Sequence, residues 1–128
     1  MIAKPRPTTS QEAFNNVWQH FVVEQHPRAV SHAAQRCSYR THDNLNGCAI
    51  GCQLPDELAD GLDSLPQVGI TRVLEKRPAV AEYFKGVDPR LLSELQSAHD
   101  QGSPWTFRPY IKKRLEQLAK NFNLTVPT

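Results

Sequence analysis

Cys37, Cys48 and Cys52 are the three thiols of the chain, spaced C-x10-C-x3-C, with His42 between the first two and His32 just upstream. Thiolate sulfur and imidazole nitrogen are the ligands zinc prefers, four of them in a tetrahedron. Cys37, Cys48, Cys52 and His42 are therefore candidate zinc ligands, with His32 or His99 as alternatives for the fourth position. The spacing lacks a C-x2-C knuckle, and the competing reading is of small, inert cysteines packed in a core. A Cys37–Cys48 disulfide requires the two to face each other. A reducing compartment disfavours it.

A second chemistry is nucleophilic. Cys48 or Cys52, beside Gly47 and Gly51, could attack a substrate if His99 served as base and Asp100 or Asp56 oriented it. A thiol needs a depressed pKa or an adjacent base for that role. Cys48, His99 and Asp100 are the catalytic candidates, although a histidine near a helix C-terminus also reads as a cap for the last carbonyls. Asp56 and Glu57 follow Pro55 and read as first-turn acidic residues. The chain contains no G-x-x-x-x-G-K-[ST], G-x-G-x-x-G or H-E-x-x-H motif. Catalysis is not the leading expectation.

Third, Arg108, Lys112 and Lys113, with Arg114 and Lys120 nearby, load the last helical segment among Trp105, Phe107 and Tyr110. Cations interleaved with aromatics can hold phosphates and stack bases. Glu116 interrupts the run and the aromatics fit an apolar stripe. A solvated basic face over a buried face is thus the favoured reading, and Arg108, Lys112 and Lys113 are binding candidates.

The whole chain bounds these options. It has 128 residues, 39% hydrophobic and 22% charged, with a net charge of +2. That suits one ordinary globular domain. The charge is too mild to imply nucleic acid or an anionic membrane by itself. No apolar run approaches the ~20 residues that span a bilayer. MIAKPRPTTS is not followed by the apolar core of a signal peptide. A cytoplasmic protein with reduced thiols is expected.

The elements that must position these groups read as follows. Residues 1–8 form a flexible arm and residues 9–128 a single domain. Thr9 and Glu12 have capping-box spacing, so a helix begins near Ser10. Phe14, Val17, Trp18, Phe21 and Val22 make one apolar face, and Pro27 stops that helix at Gln25 or His26. Cys37–Thr41 and Gly47–Ile50 read as strands joined through Asp43–Gly47, because Asn-Gly is a strong hairpin signal. A helical turn opened by Leu54-Pro55-Asp56-Glu57 and running through Ala59, a short helix carrying Val68, Ile70, Val73 and Leu74 and stopping before Pro78, and another from Pro78 to its stop at Gly86 come next. Asp88-Pro89 caps a helix to about His99, and Ser103-Pro104 repeats the device before a final helix whose regular part runs from about Pro109 to Asn121. The expected fold class is α+β: a mostly α-helical single domain with one small β-hairpin at about residues 37–50, held by the first and last helices.

Cys37-Ser38-Tyr39-Arg40, Cys48-Ala49-Ile50-Gly51-Cys52 and Leu54-Pro55-Asp56-Glu57 together resemble a group of small uncharacterised proteins encoded by tailed phages and prophages. Their pattern is C-x-Y-R, a Gly-bearing turn, then C-A-x-G-C-x-[LI]-P-D-E. They often continue with a segment like Leu95–Asp100 and a Trp-bearing last helix, here Trp105. The resemblance covers most of the chain from Cys37 onward. The chain departs from it by its N-terminal arm, a longer stretch between Arg40 and Cys48, and Ala59 where an aromatic is common. The resemblance carries no known activity. It implies a phage accessory protein in the cytoplasm of a host bacterium, acting by binding a host protein or complex, such as a host defence system it inhibits in the manner of an anti-CRISPR. No cofactor is expected on that reading, and zinc belongs to the alternative of a small Cys/His zinc-binding protein or cysteine-dependent enzyme. Nucleic acid is the less favoured partner, and a membrane is not expected.

Overall fold

The computed structural model describes residues 4–31, 36–37, 39–41, 46–62, 69–101 and 107–127, with the backbone alone at 30–31 and 36–37. Helix α1 spans Ser10–Trp18. Thr9 caps it, its hydroxyl accepting the Glu12 N–H at 3.2 Å. Glu12 reaches back to accept the N–H and hydroxyl of Thr8 at 2.7 and 2.8 Å. Those bonds hold the Glu12 carboxyl below the usual range. The Thr9 cap follows from the Thr-x-x-Glu spacing, and Glu12 reaches one residue past the cap to Thr8.

After Trp18 the helix widens into a π-helical turn, Gln19–Val23. Gln25 then turns the chain in the left-handed region, with φ 58°. Short helices follow at α2 (Asp56–Ala59), α3 (Ile70–Lys76) and α4 (Pro78–Tyr83, opened by its proline). Helix α5 runs Pro89–Asp100 and α6 runs Phe107–Asn121. Asp88 caps α5 by accepting the Arg90 N–H at 2.9 Å, while its own N–H donates to Ser10 Oγ at 3.0 Å. The starts of α1 and α5 are thus pinned together. Helix α6 ends on Asn123, φ 55°, with Leu124 N–H returning to Ala119 O at 2.7 Å. Gln11 then exchanges two 2.8 Å bonds with the backbone of Thr125.

The core has two lobes, and α1 and α5 serve both. Phe14, Val17, Phe21, Leu91 and Leu95 pack with Ile111, Leu115 and Leu118 of α6. On the other side Ala13 and Leu92 pack with Tyr39, Cys48, Ile50, Leu54, Val73, Val80 and Phe84. The helical periodicities select these faces.

The α+β expectation is corrected: the fold is helical, and the described residues of 37–50 form no β-hairpin of paired strands. Extended pairing among the described residues is confined to a two-residue antiparallel contact, Val30–Ser31 against Arg36–Cys37, and one bridge, Arg40 to Gly47. Neither makes a sheet layer. Cys37 faces Val30 across its pair, whereas the Cys48 N–H donates to Tyr39 O at 3.1 Å. Cys37 and Cys48 are therefore not cross-strand partners. The expected return strand winds up instead. The Cys52 N–H donates to Cys48 O at 2.9 Å, and Gly51–Gln53 form a 3-10 turn.

The Asn-Gly signal misled because Gly47 is small for contact, not for turning. Its φ is outside the left-handed region, and a Cβ there would lie 2.7 Å from Cys52 N. A Cβ on Gly51 would run into the Tyr39 carbonyl. His32, His42, residues 43–45, Val68, Ser103, Pro104 and Trp105 lie outside the described residues. No helix among the described residues is long and apolar enough to cross a membrane.

Candidate metal centre

The wide turn after α1 gathers the donor groups. His20 lies in it and is fully buried. Its ring stacks on His26 with centroids 4.1 Å apart and planes 10° from parallel, and meets Phe21 edge-on at 4.7 Å. Backbone geometry causes the stack. The π turn carries one residue more than an α turn, so the reversal at Gln25 returns the His26 N–H to the His20 carbonyl at 3.1 Å. A helix ending on a left-handed residue normally closes this bond one residue later in the sequence. The wider closure sets the two imidazoles face to face. π-turns of this kind are frequent at functional sites.

Neither ring nitrogen of His20 has a hydrogen-bond partner among the described residues. Buried polar atoms are nearly always satisfied, so such an atom calls for an explanation. Burial holds the His20 imidazole down at about 3, helped by the nearby His26 and Lys4 and opposed by Glu24. His20 is thus neutral near pH 7, with a lone pair available for a ligand.

Glu24 supplies the carboxylate. Its two oxygens accept from Lys4 Nζ at 2.6 and 2.7 Å, Oε2 also accepts from Gln19 Nε2 at 3.0 Å, and Oε1 accepts from His26 Nε2 at 3.1 Å. Partial burial works against its charge, yet the bonds from Lys4 and Gln19 and the Lys4 charge hold its carboxyl at about 2. His26 Nδ1 lies 3.2 Å from Asn46 Oδ1. One donor atom each from His20, Glu24 and His26 falls within 4.8 Å of the others, so this group could hold a metal ion. Bound zinc would draw neighbouring donors to about 3.3 Å apart, from metal–ligand distances near 2.0 Å. The histidine stack must therefore tilt open, and His26, which is partly exposed, is the ring free to do so.

No protein-family model, curated protein or solved structure matches this chain.

The residues singled out in the sequence are placed elsewhere. Cys48 and Cys52 are buried. Cys48 Sγ accepts the Gly51 N–H at 3.3 Å, and Cys52 donates to Ala49 O at 3.7 Å. Burial, then the neighbouring Cys48, push the Cys52 thiol far above its ordinary value. The side chain of Cys37 and all of His42 lie outside the described residues.

His99 is fully buried beside Phe21 and Phe107, in the lobe opposite Cys48. Its Nδ1 donates to Asp100 Oδ1 at 2.8 Å, and its Nε2 accepts the Ala29 N–H at 3.0 Å. The Nε2 bond ties the chain after Pro27 to the end of α5, and the Nδ1 bond to the neighbouring Asp100 orients the ring. Arg108, Lys112 and Lys113 lie exposed along α6. Arg108 Nη2 also donates to Gln25 O at 3.3 Å, which joins the basic face to the histidine turn.

Residues 39–56 acquire a structural explanation. Arg40 is buried, its Nε donating to Gly51 O at 2.8 Å, its Nη2 to Leu54 O, and its Nη1 to Asp56 Oδ1 at 2.6 Å. Gly51, Leu54 and Asp56 therefore converge on one guanidinium.

His20, Glu24 and His26 escaped the sequence reading. The available signal was His-x3-Glu-x-His ahead of Pro27. Four-residue spacing aligns the first two on a helix, and a proline after the third forces a reversal.

Proposed function

We propose that the protein acts by binding, as a phage-type accessory protein in the cytoplasm of a host bacterium that engages a host protein or protein complex, with inhibition of a host defence system as the outcome. One observation carries the reading. Helix α6 buries Phe107, Ile111, Leu115 and Leu118 and leaves Arg108, Lys112 and Lys113 on its outer face. An acidic protein surface complements such a face. The engagement of both His99 nitrogens and the burial of Cys48 and Cys52 also support it.

The test is capture from host lysate by the wild type and by Arg108→Glu/Lys112→Glu/Lys113→Glu. A discrete protein retained by the wild type, lost with the variant and weakened by salt is expected. Equal capture by both removes α6 from the reading. A salt-dependent shift of nucleic acid by the wild type would transfer the face to a nucleic-acid partner.

A second reading concerns a cofactor: zinc held by His20, Glu24 and His26. Two imidazoles and one carboxylate are a three-ligand zinc set that leaves a fourth position for water or a partner's side chain. The unpartnered nitrogens of His20 support it. Titration of the chelator-treated protein with Zn2+ tests it. One equivalent bound by the wild type and none by His20→Leu is expected.

A further inference from the structure

We propose that Lys4 is a built-in counter-cation of the His20–Glu24–His26 site, an ammonium that occupies the carboxylate until a divalent ion displaces it. This rests on the zinc reading above. Lys4 Nζ contacts both oxygens of Glu24, at 2.6 and 2.7 Å, and its side chain is only 11% exposed. A zinc ion on the same carboxylate would sit about 2.0–2.2 Å from an oxygen. That leaves no room for the ammonium in its present bidentate position, and the two cations repel at such range. The Lys4 charge also bears on the His20 ring. Its field therefore spans the site and opposes any second cation there.

Displacement is local. Pro5 O accepts from Asn16 Nδ2 at 2.9 Å, and Arg6 donates to the carbonyls of Glu82 and Tyr83 at 2.6 and 3.1 Å. These bonds keep the chain after Lys4 in place when the ammonium leaves. Gln19, still bonded to Oε2, keeps the carboxylate oriented. The metal exchanges one buried cation for another, and the lysine becomes a solvent-exposed amine.

The experiment uses the full chain as wild type, Lys4→Gln and Lys4→Arg, with Zn2+ as the probe. Affinity is read by competition with a chromogenic chelator. Exposure of Lys4 is read by acetylation with an amine-reactive ester followed by peptide mass spectrometry, with and without Zn2+. Lys4→Gln is expected to bind Zn2+ about tenfold tighter or more, because a like charge is removed from a partly buried site. Lys4→Arg, which keeps the charge, is expected to stay near wild type and controls for folding. Zn2+ is expected to raise Lys4 labelling several-fold. Zn2+ bound equally by wild type and Lys4→Gln, with labelling unchanged, overturns the counter-cation role and leaves the zinc reading standing. No Zn2+ bound by any of the three proteins overturns both.

Discussion

Arg40 and Asp56 meet at 2.6 Å across sixteen residues of chain, and the arginine end of the pair is almost wholly buried. The same guanidinium takes up the carbonyls of Gly51 and Leu54. Arg40→Met removes this donor from both carbonyls, leaving Gly51 O with only the Leu54 N–H at 3.3 Å among the described residues. We expect a loss of about 3 kcal/mol or more, since each buried unsatisfied group costs about 1–3 kcal/mol. Asp56 is half-exposed and recovers water, so Asp56→Asn should cost about 1 kcal/mol or less. Urea unfolding of the two variants checks the ranking. Equal losses would show that the carboxylate, not the carbonyls, is what the arginine serves.

Gly51 separates crowding from conformational freedom. A methyl group at that position meets the Tyr39 carbonyl, whereas one on Gly69 meets nothing within 4 Å. Gly51→Ala should fail to fold or lose several kcal/mol, in the range of severe backbone clashes, while Gly69→Ala should stay within about 0.5 kcal/mol of wild type. Circular dichroism and a melting curve decide. A well-folded Gly51→Ala protein would mean that the Tyr39 segment moves freely.

Acid should destabilise the fold in two overlapping windows. His20 is held at about 3 against an ordinary 6.5. Between those values the unfolded chain binds a proton that the folded chain refuses. Stability is therefore full above pH 6.5 and falls as the pH drops toward 3, with a slope approaching ~1.4 kcal/mol per pH unit for one proton. Glu24, about 2 against 4.5, adds a loss of the same sign between pH 4.5 and 2. Urea midpoints measured from pH 7.5 to 4.5 should decline in the wild type and flatten in His20→Leu. An unchanged slope in His20→Leu would assign the decline to other groups.

The thiols should be silent. In a Cys37→Ser background, Cys48 and Cys52 are expected to resist a disulfide reagent in the native protein and to react fully in denaturant, because both are buried and the Cys52 thiol holds its proton tightly. A fast native reaction at either would reinstate cysteine chemistry.

The helices were legible where local chemistry speaks. Thr9 with Glu12, Asp88 with Pro89, and Pro78 each mark a start that the structure repeats, because caps and prolines act within one turn of chain. Residues 37–50 were misread for the converse reason. A glycine after asparagine looks the same whether it supplies a positive φ or admits a neighbouring backbone, and only the tertiary fold places Tyr39 over Gly51. The arginine clamp depends on contacts from residue 40 to residue 56 that no periodicity records. The histidine site was hidden twice. A π turn has no 3.6-residue signature, and His20 precedes Phe21 on a helix whose apolar stripe is complete without it. The three cysteines drew the chemistry toward themselves, although Cys48 and Cys52 serve the core.

The extra residue in the Gln19–Val23 turn has a consequence for chain length. Deleting one residue there would restore ordinary α-helical bonding and make a more regular helix. It would also shorten by one residue the path from α1 to the chain after Pro27, which Arg28 anchors on the Asp100 carbonyl at 3.0 Å and Ala29 on His99 Nε2 at 3.0 Å, and change the offset that stacks His20 on His26. The helix would gain regularity while the molecule lost its registration, so a one-residue deletion at this turn should be tolerated less well than many substitutions inside it.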